Sequence, residues 1–159
     1  MAKKKKKVEE SGLKVISTNK KARFNYQILE KFEAGLVLSG AEIKSIRQGG
    51  ISLDESYVRP DGNELYLVQA YIKPYSHISQ QDYDPRRKRK LLMHRHEINK
   101  LRGRVEEKGL TLVPLRVYLK RGYAKLEIGL ARGKAAPDKR KTIKERELKR
   151  EAERAIKRR

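Results

Sequence analysis

Two segments near the end of the chain show the period of two that is typical of half-buried β-strands. Apolar side chains alternate with polar ones in both segments: Leu115, Val117 and Leu119 in the first, and Ala124, Leu126, Ile128 and Leu130 in the second. Successive side chains of a strand point to opposite faces, so this alternation predicts an antiparallel pair joined at Arg121-Gly122. Pro114 has no amide hydrogen to donate, and we expect it at an edge or a bulge.

The rest of the body predicts further short strands and two helices. Strands are expected over 26–32, 36–38, 57–59 and 65–72, with turns at Glu33-Ala34-Gly35 and Pro60–Asn63. Ser39 and Glu42 form a capping-box pattern, which predicts a helix over 40–48 that ends at Gly49-Gly50. A stripe of Ile98, Leu101 and Val105 predicts a second helix over 95–108, ended by Gly109.

This pattern favours a mainly β fold, a small closed antiparallel barrel of the OB type with inserted helices. Closure removes the exposed strand edges that invite aggregation. We expect a disordered Lys-rich N-terminus over 1–12, the barrel over 13–132 and a basic C-terminal tail over 133–159. The tail has a thin apolar stripe, so it is predicted to be disordered or to become helical on binding a polyanion.

Charge is the strongest indication of function. The chain has 41 Lys and Arg against 20 Asp and Glu, a net charge of +21. The excess peaks at Lys3–Lys7, at Arg86–Lys90 and in the tail from Lys134 to Arg159. Each cation that meets a phosphate releases a condensed counterion, so cationic segments around a compact body favour nucleic acid over a merely solvated surface.

Other classes of function find little support. There is no Cys, which excludes disulfides and Cys-based zinc sites, and His94 and His96 are too close in sequence to share a helix face. No Walker or Rossmann glycine spacing is present. We therefore expect no enzyme activity, no metal and no cofactor. Without an apolar run of about 20 residues or a signal peptide, we expect a cytoplasmic protein with no membrane partner.

Three features are candidates for RNA contact. The run Arg86–Lys90 follows a turn and is interpreted as a phosphate-contacting loop, since five adjacent like charges repel without an anion. Lys44 and Arg47 lie on one face of the first helix. Glu42 has two open interpretations, a capping residue or an acceptor for a base. The eight Tyr residues either stack on bases or line the rim of the core.

An ordered set of sequence fragments resembles the bacterial SsrA-binding protein family, also called small protein B. The fragments are Asn19-Lys20-Lys21-Ala22, Tyr26–Glu30, Leu38–Arg47, Tyr57-Val58-Arg59, Asp84–His94, Gly109–Pro114, Ala131–Lys134 and Asp138-Lys139-Arg140. Each fragment is weakly specific, whereas their order and spacing are highly specific.

The resemblance implies an OB-type barrel that binds the tRNA-like domain of transfer-messenger RNA (SsrA). It implies delivery of this RNA to stalled ribosomes for trans-translation, with the tail sensing the empty mRNA channel. The implied partners are transfer-messenger RNA, the decoding centre and mRNA channel of the small ribosomal subunit, elongation factor Tu and, indirectly, alanyl-tRNA synthetase. A constitutive basic ribosomal protein remains the alternative.

The resemblance also assigns residues. The expected RNA-binding residues are Asn19, Lys21, Glu42, Lys44, Arg47, Arg86, Arg87, Lys88, Arg89 and Lys90. The expected ribosome-contacting residues are Gly133 and Lys134 in the hinge and Asp138, Lys139 and Arg140 in the tail. Ala135-Ala136-Pro137 departs from the family pattern, and Pro137 leaves the path of the hinge open.

Overall fold

Nine strands and four helices make up the part of the chain that the computed structural model describes, residues 13–75, 83–134 and 136–157. The strands are β1 Leu13–Thr18, β2 Tyr26–Leu36, β3 Ile51–Ser52, β4 Tyr57–Asp61, β5 Glu64–Val68, β6 Tyr71–Ile72, β7 Arg89–Leu92, β8 Thr111–Lys120 and β9 Tyr123–Gly133. The helices are α1 Lys20–Asn25, α2 Gly40–Arg47, α3 Arg95–Lys108 and α4 Ala136–Lys157. The N-terminus over 1–12, predicted to be disordered, lies outside the described residues.

Seven strands form one sheet with the pairing order β1-β8-β4-β5-β7-β2-β9, and β8 pairs with β9 as well. Every pairing in it is antiparallel. The short strands β3 and β6 pair separately. The prediction of a mainly β chain with inserted helices is confirmed. No helix of the described part is long and apolar enough to cross a membrane.

The hairpin of β8 and β9 has the predicted pairing. Leu119 pairs with Ala124, and the turn places Arg121 and Gly122 at φ 52° and 83°. The register shifts between Pro114 and Arg116, so Pro114 lies at a bulge, as its missing amide hydrogen requires. Val117, Leu126, Ile128 and Leu130 of the hairpin enter the main core, which also holds Leu65, Leu67, Leu91 and Leu112. Leu115 instead lies in a second, smaller cluster with Ala22, Val113 and Ala131.

Two strand predictions are wrong. The expected turn at Glu33-Ala34-Gly35 is extended backbone within β2, because these residues pair with β9 and Ala34 is buried in the core. The expected single strand over 65–72 is divided into β5 and β6 at Gln69, whose φ of 67° is incompatible with a continuous strand. The sequence also did not indicate β1, α1, β3 or β7.

Both predicted helices of the body are confirmed. The Ser39 hydroxyl accepts from the Glu42 amide at 3.2 Å, and the Glu42 carboxylate accepts from the Ser39 amide at 3.0 Å, which completes the capping box. Helix α3 has the predicted bounds, and Gly109 ends it in the left-handed conformation. Ile98 and Leu101 are the buried residues of its apolar stripe.

The tail forms one helix, α4, of 22 residues. Pro137 lies in its first turn, where a missing amide hydrogen leaves no helical bond unmade. The helix meets the body at its N-terminal half: the Lys134 ammonium donates to Thr142 Oγ1 at 2.9 Å, and the Arg146 guanidinium lies 5.8 Å from the centre of the Phe24 ring. Beyond Thr142 the described side chains of α4 are exposed, so the tail projects from the body as a helix.

Candidate nucleic-acid interface

A buried ion pair lies beneath the predicted phosphate-contacting run. The side chains of Glu42 and Arg89 are both 0% exposed. Arg89 Nε donates to Glu42 Oε2 at 2.9 Å, and Arg89 Nη2 lies 2.7 Å from the same oxygen. The other carboxylate oxygen of Glu42 accepts from Arg87. The pair therefore ties α2 to β7 and to the loop that precedes it.

The prediction that Arg89 contacts phosphate is wrong, because its guanidinium is fully occupied inside the protein. Besides its bonds to Glu42, it donates to the Ala70 carbonyl at 2.7 Å and to the Pro85 carbonyl at 3.0 Å. Leu91, two residues on, is buried on the same side of β7. The alternation of the strand thus turns Arg89 inward and leaves Lys90 and Leu92 facing outward.

Glu42 is buried and occupied in the same way. Burial raises the pKa of its carboxyl, but the hydrogen bonds from the Ser39 amide, Arg87 and Arg89 outweigh burial and hold that pKa below its ordinary value of 4.5. Of the two interpretations that the sequence left open, the structure shows the capping role. It adds a second role, because the carboxylate neutralises the buried guanidinium of Arg89.

The other four residues of the run have exposed or half-exposed side chains, each with its own partner. Arg86 donates to the Gln69 carbonyl at 3.0 Å and lies over the Tyr71 ring at 5.5 Å. Lys88 lies 3.3 Å from Asp61 Oδ2 and 4.7 Å from the centre of the Tyr66 ring. Lys90 lies 3.7 Å from Glu64 Oε1 and Arg87 reaches Glu42. The four cations are adjacent in the sequence, but in the folded protein each one is held by different partners.

Asn19 and Lys21 lie together at a second place. The side-chain oxygen of Asn19 accepts from the Ala22 amide at 3.2 Å, and its Nδ2 donates to the Pro114 carbonyl at 2.9 Å. Asn19 thus begins α1 and fastens it to β8. It borders a cavity of ≈370 Å³ with Lys21, Tyr26 and Tyr57. Lys21 is exposed there, whereas Asn19 is only 5% exposed.

A groove lies beside the hairpin turn of β8 and β9. It has a volume of ≈540 Å³ and is bordered by Arg47 together with Arg121, Tyr123, Lys125 and the apolar Leu92. Tyr123 is 72% exposed and Leu92 is 53% exposed. Three cations around an apolar floor with an exposed aromatic ring suit phosphate and stacked bases together.

The sequence indicated one member of this groove, Arg47, whose Nη2 donates to the Gly122 carbonyl at 3.5 Å. Tyr123 was indicated only as one of eight Tyr residues that could stack on bases, and Leu92, Arg121 and Lys125 were not indicated as site residues. Arg121 was interpreted only as part of a turn, and Lys125 only as the polar partner in an alternating strand. Long-range packing brings α2, β7 and this turn together, and local sequence patterns do not show it. Lys44 lies on α2 as well, 5.7 Å from the centre of the Tyr75 ring.

A smaller polar network adjoins the groove on the outer face of β2, β8 and β9. The Tyr118 hydroxyl donates to the Glu33 carboxylate, which also lies 3.5 Å from the Lys120 ammonium. The hydrogen bond from Tyr118 is the main cause that lowers the pKa of Glu33, and the nearby lysines add to it. Burial and the same bond raise the pKa of Tyr118. A cavity of ≈350 Å³ joins Glu33 to Leu92 and Lys125 of the groove.

The predicted tail residues divide into two groups. Gly133 ends β9, and the Lys134 amide donates to the Asn25 carbonyl at 2.9 Å, so the hinge is fastened to the end of α1. Asp138, Lys139 and Arg140 lie in the first turns of α4. Arg140 is exposed, while the side chains of Asp138 and Lys139 lie outside the described part. Among described residues, no three His, Cys, Asp or Glu gather as a metal site would require.

Comparison with known proteins gives a consistent result. A family model described as SmpB protein matches residues 16–158. An SsrA-binding protein of Persephonella marina (strain DSM 14350 / EX-H1) is 55% identical over 140 residues, which cover 88% of this chain and 92% of the relative. Another from Acaryochloris marina (strain MBIC 11017) is 55% identical over 146 residues, with 91% and 95% covered.

A solved structure agrees with these relatives. It is described as "tmRNA-SmpB: a journey to the center of the bacterial ribosome", and it matches with a TM-score of 0.62 and 54% identity over 75% of this chain and 84% of the other. The family model spans nearly all of the sequence beyond the Lys-rich N-terminus. The resemblance found in the sequence is confirmed, and the chain belongs to the SmpB protein family.

Proposed function

We propose that this protein binds transfer-messenger RNA and delivers it to stalled ribosomes for trans-translation. The groove bordered by Arg47, Arg121 and Lys125 carries this proposal, because it offers three cations and an exposed Tyr123 to a folded RNA. The relatives' name, SsrA-binding protein, and the tmRNA-SmpB structure support this RNA as the ligand. In this proposal the protein acts as an adaptor that binds RNA and not as an enzyme.

The sheet that carries the groove is, we propose, a closed barrel of the OB type. Its support is the circuit of pairings from β8 through β4, β5, β7, β2 and β9 back to β8. A closed sheet holds the cations of separate strands at fixed distances. Folded RNA is recognised largely by shape, phosphate and 2′-hydroxyl groups, for which a stiff platform is well suited.

The proposed RNA contacts extend beyond the groove to the predicted residues with exposed side chains. These are Lys21, Lys44, Arg47, Arg86, Arg87, Lys88 and Lys90. Asn19 and Glu42 contribute to RNA binding indirectly, since Asn19 fixes α1 and Glu42 fixes the run Arg86–Lys90. Arg89 contributes through its ion pair with Glu42. Asn19 also borders the cavity beside Lys21, so a direct contact from its edge belongs to the proposal.

The tail completes the proposal. Helix α4 leaves the body at the hinge of Gly133 and Lys134, and its exposed basic side chains suit the RNA walls of an empty mRNA channel near the decoding centre. Asp138, Lys139 and Arg140 begin this helix and are the proposed ribosome contacts. Joining two RNA-binding elements raises the effective concentration of the second contact. Elongation factor Tu, and indirectly alanyl-tRNA synthetase, are further proposed partners in the cytoplasm.

Sequencing the RNA that co-purifies with the protein tests this function. We expect one tRNA-like species with an internal reading frame, whereas stoichiometric ribosomal RNA would instead identify a constitutive ribosomal protein.

Binding assays then test the groove. Arg47→Gln with Lys125→Gln should weaken the binding of transfer-messenger RNA by roughly 5- to 20-fold near physiological salt, since two phosphate contacts are lost. Lys14→Gln with Lys31→Gln removes the same charge outside the groove and should change affinity by less than about 2-fold.

A further inference from the structure

The turn between β4 and β5 gathers basic side chains from β7 with the loop before it and from α3. Lys88 lies 3.3 Å from Asp61 Oδ2, and Arg95 Nη1 donates to the Asn63 carbonyl at 2.8 Å. Arg102 Nη1 donates to Asn63 Oδ1 at 3.1 Å. Lys90 joins them through Glu64, 3.7 Å away. We call these four cations, Lys88, Lys90, Arg95 and Arg102, the turn patch.

The turn patch keeps a surplus of positive charge. Its four cations face two carboxylates, Asp61 and Glu64, and Glu64 is shared between Lys90 and Arg95 at 3.7 and 3.6 Å. The paired side chains are between 29% and 59% exposed, so these ion pairs are screened by water. Surface pairs of this kind contribute little to stability, so the cations can readily exchange a carboxylate for a phosphate.

The turn also restrains these long side chains before any ligand arrives. The Arg95 and Arg102 guanidinium groups are fixed by Asn63, and Lys88 lies over the Tyr66 ring at 4.7 Å. Ordering a free Lys or Arg side chain on binding has an entropic cost, and the contacts with the turn have already restricted these side chains. Guanidinium groups offer two parallel donors, a geometry that matches phosphate oxygens.

The turn patch is continuous with the groove described above. Along β7, Arg89 and Leu91 point into the core, so Lys90 and Leu92 share the outer face about 7 Å apart. Leu92 borders the groove, and Lys90 belongs to the turn patch. A single RNA backbone can therefore pass from the groove across β7 to α3 without leaving the protein surface.

We propose that the turn patch binds the phosphate backbone of the RNA held in the groove, so that the interface extends onto α3 through Arg95 and Arg102. The inference rests on the proposed function for the identity of the RNA. Contacts of this kind fix the position of the RNA and carry no base specificity, because they are made to phosphate.

A charge-matched pair of variants on one helix tests the turn patch. Arg95→Gln with Arg102→Gln removes its α3 half. Lys100→Gln with Arg104→Gln removes two cations of the same helix, of which Lys100 pairs with Glu30 and lies outside both the turn patch and the groove. The ligand is a full-length transfer-messenger RNA transcript, and its dissociation constant is measured at several salt concentrations. Thermal melting of each variant shows that the fold is kept.

We expect the turn-patch variant to bind roughly 5- to 20-fold more weakly, with the slope of log K against log[salt] reduced by about 1.4 to 1.8. The control should lose less than about 2-fold, through the long-range field alone. Arg95→Lys with Arg102→Lys retains both charges and should recover the salt slope. Equal losses in the two Gln variants, or unchanged affinity in both, would overturn the proposal.

The test separates failure of this inference from failure of the proposed function. If the native chain shows no preference for transfer-messenger RNA over an unstructured RNA of equal length, the proposed function fails. The comparison of salt slopes between the two variants still decides whether the turn patch contacts phosphate. If the preference is present and the turn-patch variant equals the control, the function stands and the interface ends at the groove.

Discussion

Arg89 and the residues on either side of it belong to one basic run but lie in opposite environments. The Arg89 side chain is 0% exposed and bonded to Glu42, whereas the Lys88 side chain is 50% exposed and pairs with Asp61 at the surface. Removing the partner of a buried charge strongly destabilises the folded protein, whereas a surface ion pair contributes little to its stability. Adjacent positions of equal charge therefore have separate tasks, one structural and one suited to ligand binding.

The largest expected effect comes from breaking the buried pair. Arg89→Met leaves the Glu42 carboxylate buried with fewer partners and should lower the free energy of unfolding by about 3–5 kcal/mol. Arg86→Met is the control on the exposed side of the run and should change it by less than about 0.5 kcal/mol. Urea denaturation measures both. Similar values for the two variants would show that the run has no division between core and surface.

The pH dependence of stability sharpens the same comparison. The folded-state pKa of Glu42 lies below 4.5, so its ionised form stabilises the fold at neutral pH, and that contribution is lost as the pH falls through the folded-state value. Glu42→Gln should therefore be less stable than the native chain at pH 7, with a difference that shrinks towards pH 3. Glu33→Gln should show a smaller change of stability with pH, because Glu33 is 40% exposed and its charge is screened by water. A difference for Glu42→Gln that stays constant with pH would contradict this account.

Asn19 and Lys21 allow a smaller test of the same division. Asn19→Ala removes a helix cap and the bond to the Pro114 carbonyl, which should cost roughly 1–3 kcal/mol of stability. Lys21→Ala should leave stability unchanged and weaken RNA binding. Melting and RNA affinity are measured for both variants. If Asn19→Ala loses RNA affinity with its melting unchanged, Asn19 contacts the RNA directly.

The tail should have the smallest effect on stability. Deleting residues 135–159 should change the free energy of unfolding of the body by less than about 1 kcal/mol, because α4 meets the body through individual side-chain contacts such as those of Arg146 with Phe24 and of Thr142 with Lys134. The truncated chain should keep most of its affinity for transfer-messenger RNA and lose tagging on the ribosome. A large loss of RNA affinity would instead place α4 within the primary RNA site.

Local patterns predicted the elements whose signals are local. The capping box of Ser39 and Glu42, the hairpin of β8 and β9 and the bulge at Pro114 depend on neighbours in sequence, and the structure has all of them. The predicted half-burial of the hairpin is wrong, because both faces of β8 and β9 are covered over part of their length. Strand and turn signals indicated the mainly β fold with inserted helices, and the family resemblance then indicated which RNA to expect as the ligand. The turn expected at Glu33-Ala34-Gly35 was wrong because pairing with β9 overrides the turn propensity of glycine.

The site was less predictable than the fold because burial depends on long-range packing. The sequence shows Arg86–Lys90 as a uniform run, and only the inward direction of β7 separates Arg89 from its neighbours. In the same way, Arg121 and Lys125 become groove residues because α2 and β7 pack beside their hairpin. Tyr66 and Tyr71 were among eight candidates for stacking, and the structure places cations over both rings.

Arg121 occupies the hairpin turn with φ at 52°, a left-handed conformation that glycine adopts with less strain. Arg121→Gly would relieve that strain and at the same time remove a cation from the mouth of the groove. Backbone strain in the turn and positive charge at the groove therefore make opposite demands on one position.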